Sequence, residues 1–138
     1  PFTMALPVSG PPPVVWTSKA MRNQMSPSIL IGGHLYGIDG NESKNAVLKC
    51  IDWATGEEKG TYPPSGCGTV AAAGGQLIVL GEKGELSIGK ATPEGFAPVS
   101  RSQILSGRCW TVPVVAHGRL YARNAAGDVV CVDVGGRQ

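Results

Sequence analysis

Three segments of this chain follow one template, a small-residue turn leading into an apolar strand. They are Gly32-Gly33-His34-Leu35-Tyr36, Gly74-Gly75-Gln76-Leu77-Ile78 and His117-Gly118-Arg119-Leu120-Tyr121, with central leucines 42 and 43 residues apart. A short apolar run precedes each turn, at 28–31, 69–73 and 112–116, and a further strand follows at 47–52, 85–89 and 128–133. A fourth, weaker strand fills the space before the next unit, as at 96–103. Short β-branched runs punctuated by glycine dominate, and no stretch sustains helical periodicity. Four strands in a repeat of about 40–45 residues is the period of a propeller blade. A sandwich has no reason to repeat at a fixed interval. The repeat therefore predicts an all-β protein, a β-propeller of three four-stranded antiparallel blades, as a partial ring or a ring closed by another chain or copy. The expected layout is a Pro-rich segment at 1–13, blades at about 14–60, 61–103 and 104–134, and a tail at 135–138.

Composition narrows the partners. Hydrophobic residues are 42% of 138, enough for a real core, while charged residues at 16% argue against coiled coils and long exposed helices. A net charge of +2, spread evenly, is too weak for electrostatic binding of nucleic acid or anionic lipid. No apolar run approaches the ~18 residues of a membrane span, so no membrane insertion is expected. No signal peptide is visible, and the start at Pro1 rather than at methionine suggests that something upstream is missing or removed. Four cysteines are far below the density of a disulfide scaffold.

The type of propeller is indicated at the exit of the third strand. No repeat ends in Trp-Asp, and the glycine pairs precede the second strand instead of following it, unlike kelch repeats. Cys50-Ile51-Asp52-Trp53-Ala54-Thr55-Gly56-Glu57-Glu58-Lys59-Gly60 resembles the quinoprotein (pyrroloquinoline-quinone-like) repeat motif, Ala-x-Asp-x-x-Thr-Gly-x-x-x-Trp. Val14-Val15-Trp16 is similar to the Trp-bearing fourth strand that ends such a motif, and Ser26-Pro27-Ser28 with 29–36 resembles the opening of the following blade. The sequence departs from the pattern at Cys50 and at Gly60, which stands in the place of the docking Trp. Unit two has Ile88-Gly89-Lys90-Ala91-Thr92-Pro93 at the turn, and unit three keeps only Cys131-Val132-Asp133. The resemblance implies three blades of a larger propeller and a periplasmic or extracytoplasmic location.

Most marked residues have a structural reading. Asp52 is expected to close a turn by accepting backbone N–H groups, with Gly56 at positive φ, and Asp133 to repeat that role. Trp16 and Trp53 are expected to pack in the core or between blades. The loop Asp39-Gly40-Asn41-Glu42-Ser43 gathers oxygen atoms but lacks the spacing of a calcium loop, and reads as a polar turn. His34 and His117 read as surface turn residues, and Glu82 and Lys83 as exposed turn residues. The Gly pairs are turns and not phosphate cradles, since no helix follows them. Cys50 and Cys131, in corresponding strand positions, read as small buried hydrophobes.

Cys67 and Cys109 lie 42 residues apart, and Met25 holds the matching position in unit one. All three precede an innermost strand, where loops open on the face that binds ligands in propellers. A disulfide between neighbouring blades, a soft-metal site and plain burial all fit these sulfurs. The same loops carry Arg22, Asn23, Gln24, Arg108 and Trp110, so the candidate ligand face is Gln24, Met25, Cys67, Arg108, Cys109 and Trp110, for a small molecule or a protein segment.

No residue is assigned a catalytic or metal-binding role. None matches the quinoprotein enzymes' quinone-clamping Trp, catalytic Asp, calcium-binding set or vicinal Cys pair. The chain is therefore expected to be a non-catalytic binding or assembly scaffold with no evident cofactor. Its expected partners are the remaining propeller blades or another copy, together with a ligand on the channel face. The alternative is part of a PQQ-dependent alcohol dehydrogenase-like oxidoreductase, using PQQ and calcium, whose catalytic residues lie outside this chain. In the strand count, Val14–Thr17 is a lone fourth strand and the third set stops after its third strand.

Overall fold

The computed structural model describes residues 9–11, 13–24, 26–64 and 66–135. Met25, residues 1–8 and 12 of the N-terminal segment and 136–138 of the tail lie outside them. Among the described residues, eleven strands form three antiparallel sheets. Sheet one runs β1 (Ile29–Ile31), β2 (His34–Asp39), β3 (Val47–Asp52), β4 (Glu58–Pro64). Sheet two runs β5 (Thr69–Ala73), β6 (Gln76–Leu80), β7 (Glu85–Thr92), β8 (Gly95–Gln103). Sheet three holds β9 (Val114–Ala116), β10 (Arg119–Arg123) and β11 (Val129–Asp133), with β10 in the middle.

The repeat is preserved to the residue. Leu35 pairs with Leu30, Leu77 with Ala72 and Leu120 with Val115. The turns between these strands put two consecutive residues at positive φ: Gly32 and Gly33 at 56° and 78°, Gly74 and Gly75 at 56° and 73°, His117 and Gly118 at 50° and 73°. Such a turn matches the twist of the flanking strands, which explains the small residues at these sites. Strand β9 starts at Val114, later than the expected 112, because Pro113 has no N–H to give a ladder.

Sheet two is covered on both sides. Leu77 and Val79 pack with Tyr36, Leu48 and Cys50 of sheet one, whereas Ile78 and Leu80 pack with Leu120 and Ala122 of sheet three. Successive strand residues point to opposite faces, so a strand buried on both reads as an unbroken apolar run, as in Leu77-Ile78-Val79-Leu80.

Three expectations change. Val14–Thr17 forms no strand, so it does not serve as the lone fourth strand, although sheet three, among the described residues, stops after its third strand as the strand count has it. Cys131 is exposed whereas its counterpart Cys50 is buried, because among the described residues no further sheet lies against that side of β11. The Trp53 ring is also largely exposed; its backbone carbonyl, not its ring, takes part in packing.

Candidate functional site

In an antiparallel meander, alternate connections emerge at the same end. The β2–β3 and β6–β7 loops thus share one face with the segments entering β5 and β9. Glu82, in the β6–β7 turn, ties this face together. Its carboxylate accepts from the Trp110 indole N–H at 3.1 Å and from the Cys67 backbone N–H at 3.4 Å, and Ser43 also bonds to it. Its carbonyl accepts from the Cys109 N–H at 2.8 Å. The Ser43 bond, followed after a smaller opposing burial effect by the bond from Trp110, holds the Glu82 carboxyl below its usual range. Arg108 lies over the Trp110 ring, 4.4 Å from its centre, a cation–π contact. A cleft of about 410 Å³ opens beside Glu82, bordered by Ser43, Lys44, Lys83 and Glu85.

Four residues of the expected ligand face, Cys67, Arg108, Cys109 and Trp110, thus gather around Glu82. Gln24 lines a separate shallow cleft with Arg22, Asn23 and Asn41. Cys67 and Cys109 are free, buried thiols in different cores, one between sheets one and two and one between sheets two and three. The inter-blade disulfide is therefore absent, and among the described residues no group of three His, Cys, Asp or Glu side chains gathers to hold a metal ion. Burial pushes both thiols above their usual pKa, which makes them poor nucleophiles.

Asp39 has a different task from the polar turn expected of it. It is buried at the end of β2, where it accepts from the Arg22 backbone N–H at 2.7 Å and from Arg22 Nε at 3.0 Å. Lys49 Nζ lies 3.3 Å from its other oxygen. The Arg22 bonds, with Lys49, hold Asp39 down to about 2. Lys49 in turn bonds Glu58 at 2.8 Å and the Ala20 carbonyl at 3.1 Å. This network straps residues 20–22 across sheet one. Met21 and Asn23 sit over Gly37, where a Cβ would lie 2.6 Å from the Met21 sulfur and 2.9 Å from Asn23 Nδ2.

On the opposite face the strap ends in Trp16. Asp52 Oδ1 accepts the N–H groups of Ala54 and Thr55 at 2.9 and 3.0 Å, closing the expected turn. The Trp16 ring covers Gly56 (φ 74°), and its indole N–H donates to the Trp53 carbonyl at 3.0 Å. The next sheet has a similar joint made from other residues. The Tyr62 hydroxyl, two residues beyond Gly60, donates to the Thr92 carbonyl at 2.8 Å and lies 3.2 Å from that of Pro93. Burial and the neighbouring Cys50 push the Tyr62 hydroxyl up to about 12. The turn after β11 repeats the Asp role in reduced form, with the Gly135 N–H on Asp133 at 3.0 Å. A cleft of about 250 Å³ lies beside it, between β8 and the end of β11.

Glu82, Asp39 and Tyr62 carry much of this geometry; the sequence reads Glu82 as an exposed turn residue and Asp39 as part of a polar turn, and gives Tyr62 no role.

No protein-family model matches the chain, and no curated protein matches it by sequence. Among solved structures it is similar to BamB from Moraxella catarrhalis, a β-propeller, with a TM-score of 0.62 and 18% identity. The match covers 81% of this chain and 34% of that one, so the chain spans about a third of that protein's length. The three sheets are propeller blades by fold.

Proposed function

We propose that this chain is a segment of a quinoprotein-like propeller that acts as a non-catalytic binding or assembly scaffold. It docks a protein ligand on the face carrying Glu82, Arg108 and Trp110, and it uses no cofactor of its own. The observation that carries this reading is the Glu82 carboxylate. It joins the β2–β3 loop, the entry to β5 and the entry to β9, and so fixes three loops from three sheets in one arrangement before any ligand arrives. Preorganised loops avoid the ordering cost of binding, and Trp and Arg are the residue types that most often dominate interfaces. Trp16 on the Asp52–Gly56 turn supports the quinoprotein-like assignment, because it joins the motif residues through contacts on the turn itself.

Selection of displayed random peptides on the native chain tests the reading. The expected result is enriched peptides whose affinity falls at least about tenfold in Arg108→Ala and in Trp110→Ala, the loss of an interface anchor. Binding should be unchanged in Val99→Asp, on exposed β8. Peptides indifferent to both loop substitutions would overturn the chosen face. Stoichiometric uptake of PQQ with Ca²⁺, read by absorbance, would replace the scaffold reading with the dehydrogenase-like one.

A further inference from the structure

The cleft beside Glu82 lies between sheets one and two, and the repeat singles out one residue that lines it. In each third strand, the residue two before the partner of the repeat's leucine holds an equivalent place. These residues are Lys49, Ser87 and Val130, paired with Gly37, Val79 and Ala122. Lys49 is engaged by Asp39 and Glu58, and Val130 packs into the core between sheets two and three. Ser87 does neither. It is only 7% exposed, it lines the cleft, and among the described residues nothing hydrogen-bonds its hydroxyl. An apolar group entering the cleft would strip this hydroxyl of water without replacing the bond. What enters must therefore carry a polar group.

The charges around the mouth choose its sign. Lys44 leaves the β2–β3 loop, where the Asn45 and Ala46 N–H groups both donate to the Glu42 carbonyl at 2.9 Å. Lys83 leaves the β6–β7 turn, which is closed by the Gly84 N–H on the Gly81 carbonyl at 2.9 Å. Gln103 Nε2 also donates to the Lys83 carbonyl, at 2.6 Å. Both lysines thus stand on fixed backbone. Arg101 on β8 lies directly across from Ser87, and so on the same face of sheet two. Among the described residues none of these three cations forms an ion pair. On the acidic side, Glu82 is already held by Trp110, Cys67 and Ser43, which leaves Glu85 as the free carboxylate of the lining. The balance favours an anion. It also favours a single one, since Glu85 repels a run of negative charges.

We propose that the cleft takes one acidic side chain of the docked protein segment, an Asp or Glu whose carboxylate accepts from the Ser87 hydroxyl between Lys44 and Lys83. Such an anchor presupposes the protein-docking reading of this face, on which it rests, and adds what the face selects. Glu82 borders the cleft and accepts from Trp110, so a segment laid on the Trp110 ring passes the mouth of the cleft. A carboxylate has lone pairs enough for the hydroxyl and both ammonium groups at once, and bonds to it from ammonium groups are charge-assisted.

Two displayed peptide libraries on the native chain test this, one random and one with Asn and Gln in place of Asp and Glu. Enriched peptides should come from the first and share one acidic position. Changing that residue to its amide should weaken binding at least about tenfold on the native chain, and less than about twofold on a Lys44→Ala, Lys83→Ala chain. Ser87→Ala should weaken the acidic peptide and leave its amide form unchanged. Lys90→Ala, which removes an exposed lysine from the other end of β7, should change neither. Equal affinities from the acid-free library overturn the acidic site, as does an amide loss that persists in full without Lys44 and Lys83. In both cases the docking face itself stands if binding still falls in Trp110→Ala. Peptides whose acid depends on the two lysines but which ignore Arg108→Ala and Trp110→Ala uphold the cleft and overturn the wider face. No enrichment from either library overturns both.

Discussion

The two joints on the turn face perform one task with different chemistry. Sheet one is met by Trp16, whose ring covers a glycine and whose indole N–H reaches a carbonyl. Sheet two is met by Tyr62, whose hydroxyl reaches the Thr92 and Pro93 carbonyls. Gly60 lets the strand come close, since a Cβ there would lie 2.7 Å from the Pro93 oxygen. A donor at the tip of an aromatic ring, aimed at carbonyls left free by a tight turn, is what the two joints share. Residue identity at a motif position is secondary to delivering that donor.

The largest expected effect breaks the first joint. Gly56→Ala places a side chain at φ 74° and within 2.5 Å of the Trp16 ring. We expect a loss of about 2–3 kcal/mol in denaturant unfolding, from backbone strain plus the displaced ring. A loss no larger than that of an ordinary surface change would show that Trp16 does not depend on this turn.

Acid should separate the two joints next. Asp39 holds the strap that leads to Trp16, whereas the Tyr62 hydroxyl is held by the Thr92 and Pro93 carbonyls. Its pKa is lowered from the usual 3.8 to about 2, so its contribution is complete above pH 4 and lost as the pH falls through 2. The shift corresponds to about 2 kcal/mol. Asp52 and Glu58 shift in the same direction, which reinforces the sign. The indole resonance of Trp16 should therefore move at a higher pH than the ring resonances of Tyr62. In Asp39→Asn the acid-dependent change should shrink. Simultaneous movement of both rings in the native chain would contradict the difference drawn between the joints.

Tyr62→Phe keeps the ring and removes the donor. Two carbonyls lose a partner, for an expected cost of about 1 kcal/mol by thermal or denaturant unfolding. No measurable change would reduce the second joint to ring packing. The smallest effect belongs to the loop face. Lys83→Ala should stay within about 0.5 kcal/mol, as exposed surface changes do. Glu82→Ala, one residue away, should cost more, because the Trp110 and Cys67 donors lose their acceptor.

That last pair shows where sequence reading succeeds and where it stops. The three hairpins were legible because alternation and paired small residues are local, and the registers follow from them. Lys83 and Glu82 look alike in sequence, both being charged residues between Gly81 and Gly84. What distinguishes them is Trp110, brought near by the packing of a different sheet. Asp39 is similar, since its partner Arg22 lies 17 residues earlier on a strap with no periodic pattern. Cys131 failed in the opposite way. Its strand matches that of Cys50, but among the described residues only Cys50 has a second sheet packed on its side. In the candidate site, the loop positions of Cys67, Arg108, Cys109 and Trp110 were legible from the repeat, whereas the carboxylate at their centre was not.

The meander order within each sheet also has a kinetic meaning. Every strand pairs only with its neighbours in the chain, so most pairing closes loops of a few residues and demands little chain entropy before contacts form. Pairing between strands that follow one another in the chain closes sooner than pairing between distant strands. Each sheet can assemble as soon as its own segment leaves the ribosome, with the tight turns at 32–33, 74–75 and 117–118 as starting points. Sheet two then acts as a template on both sides, and its unbroken apolar run is the segment with most to lose if synthesis stalls before sheet three arrives.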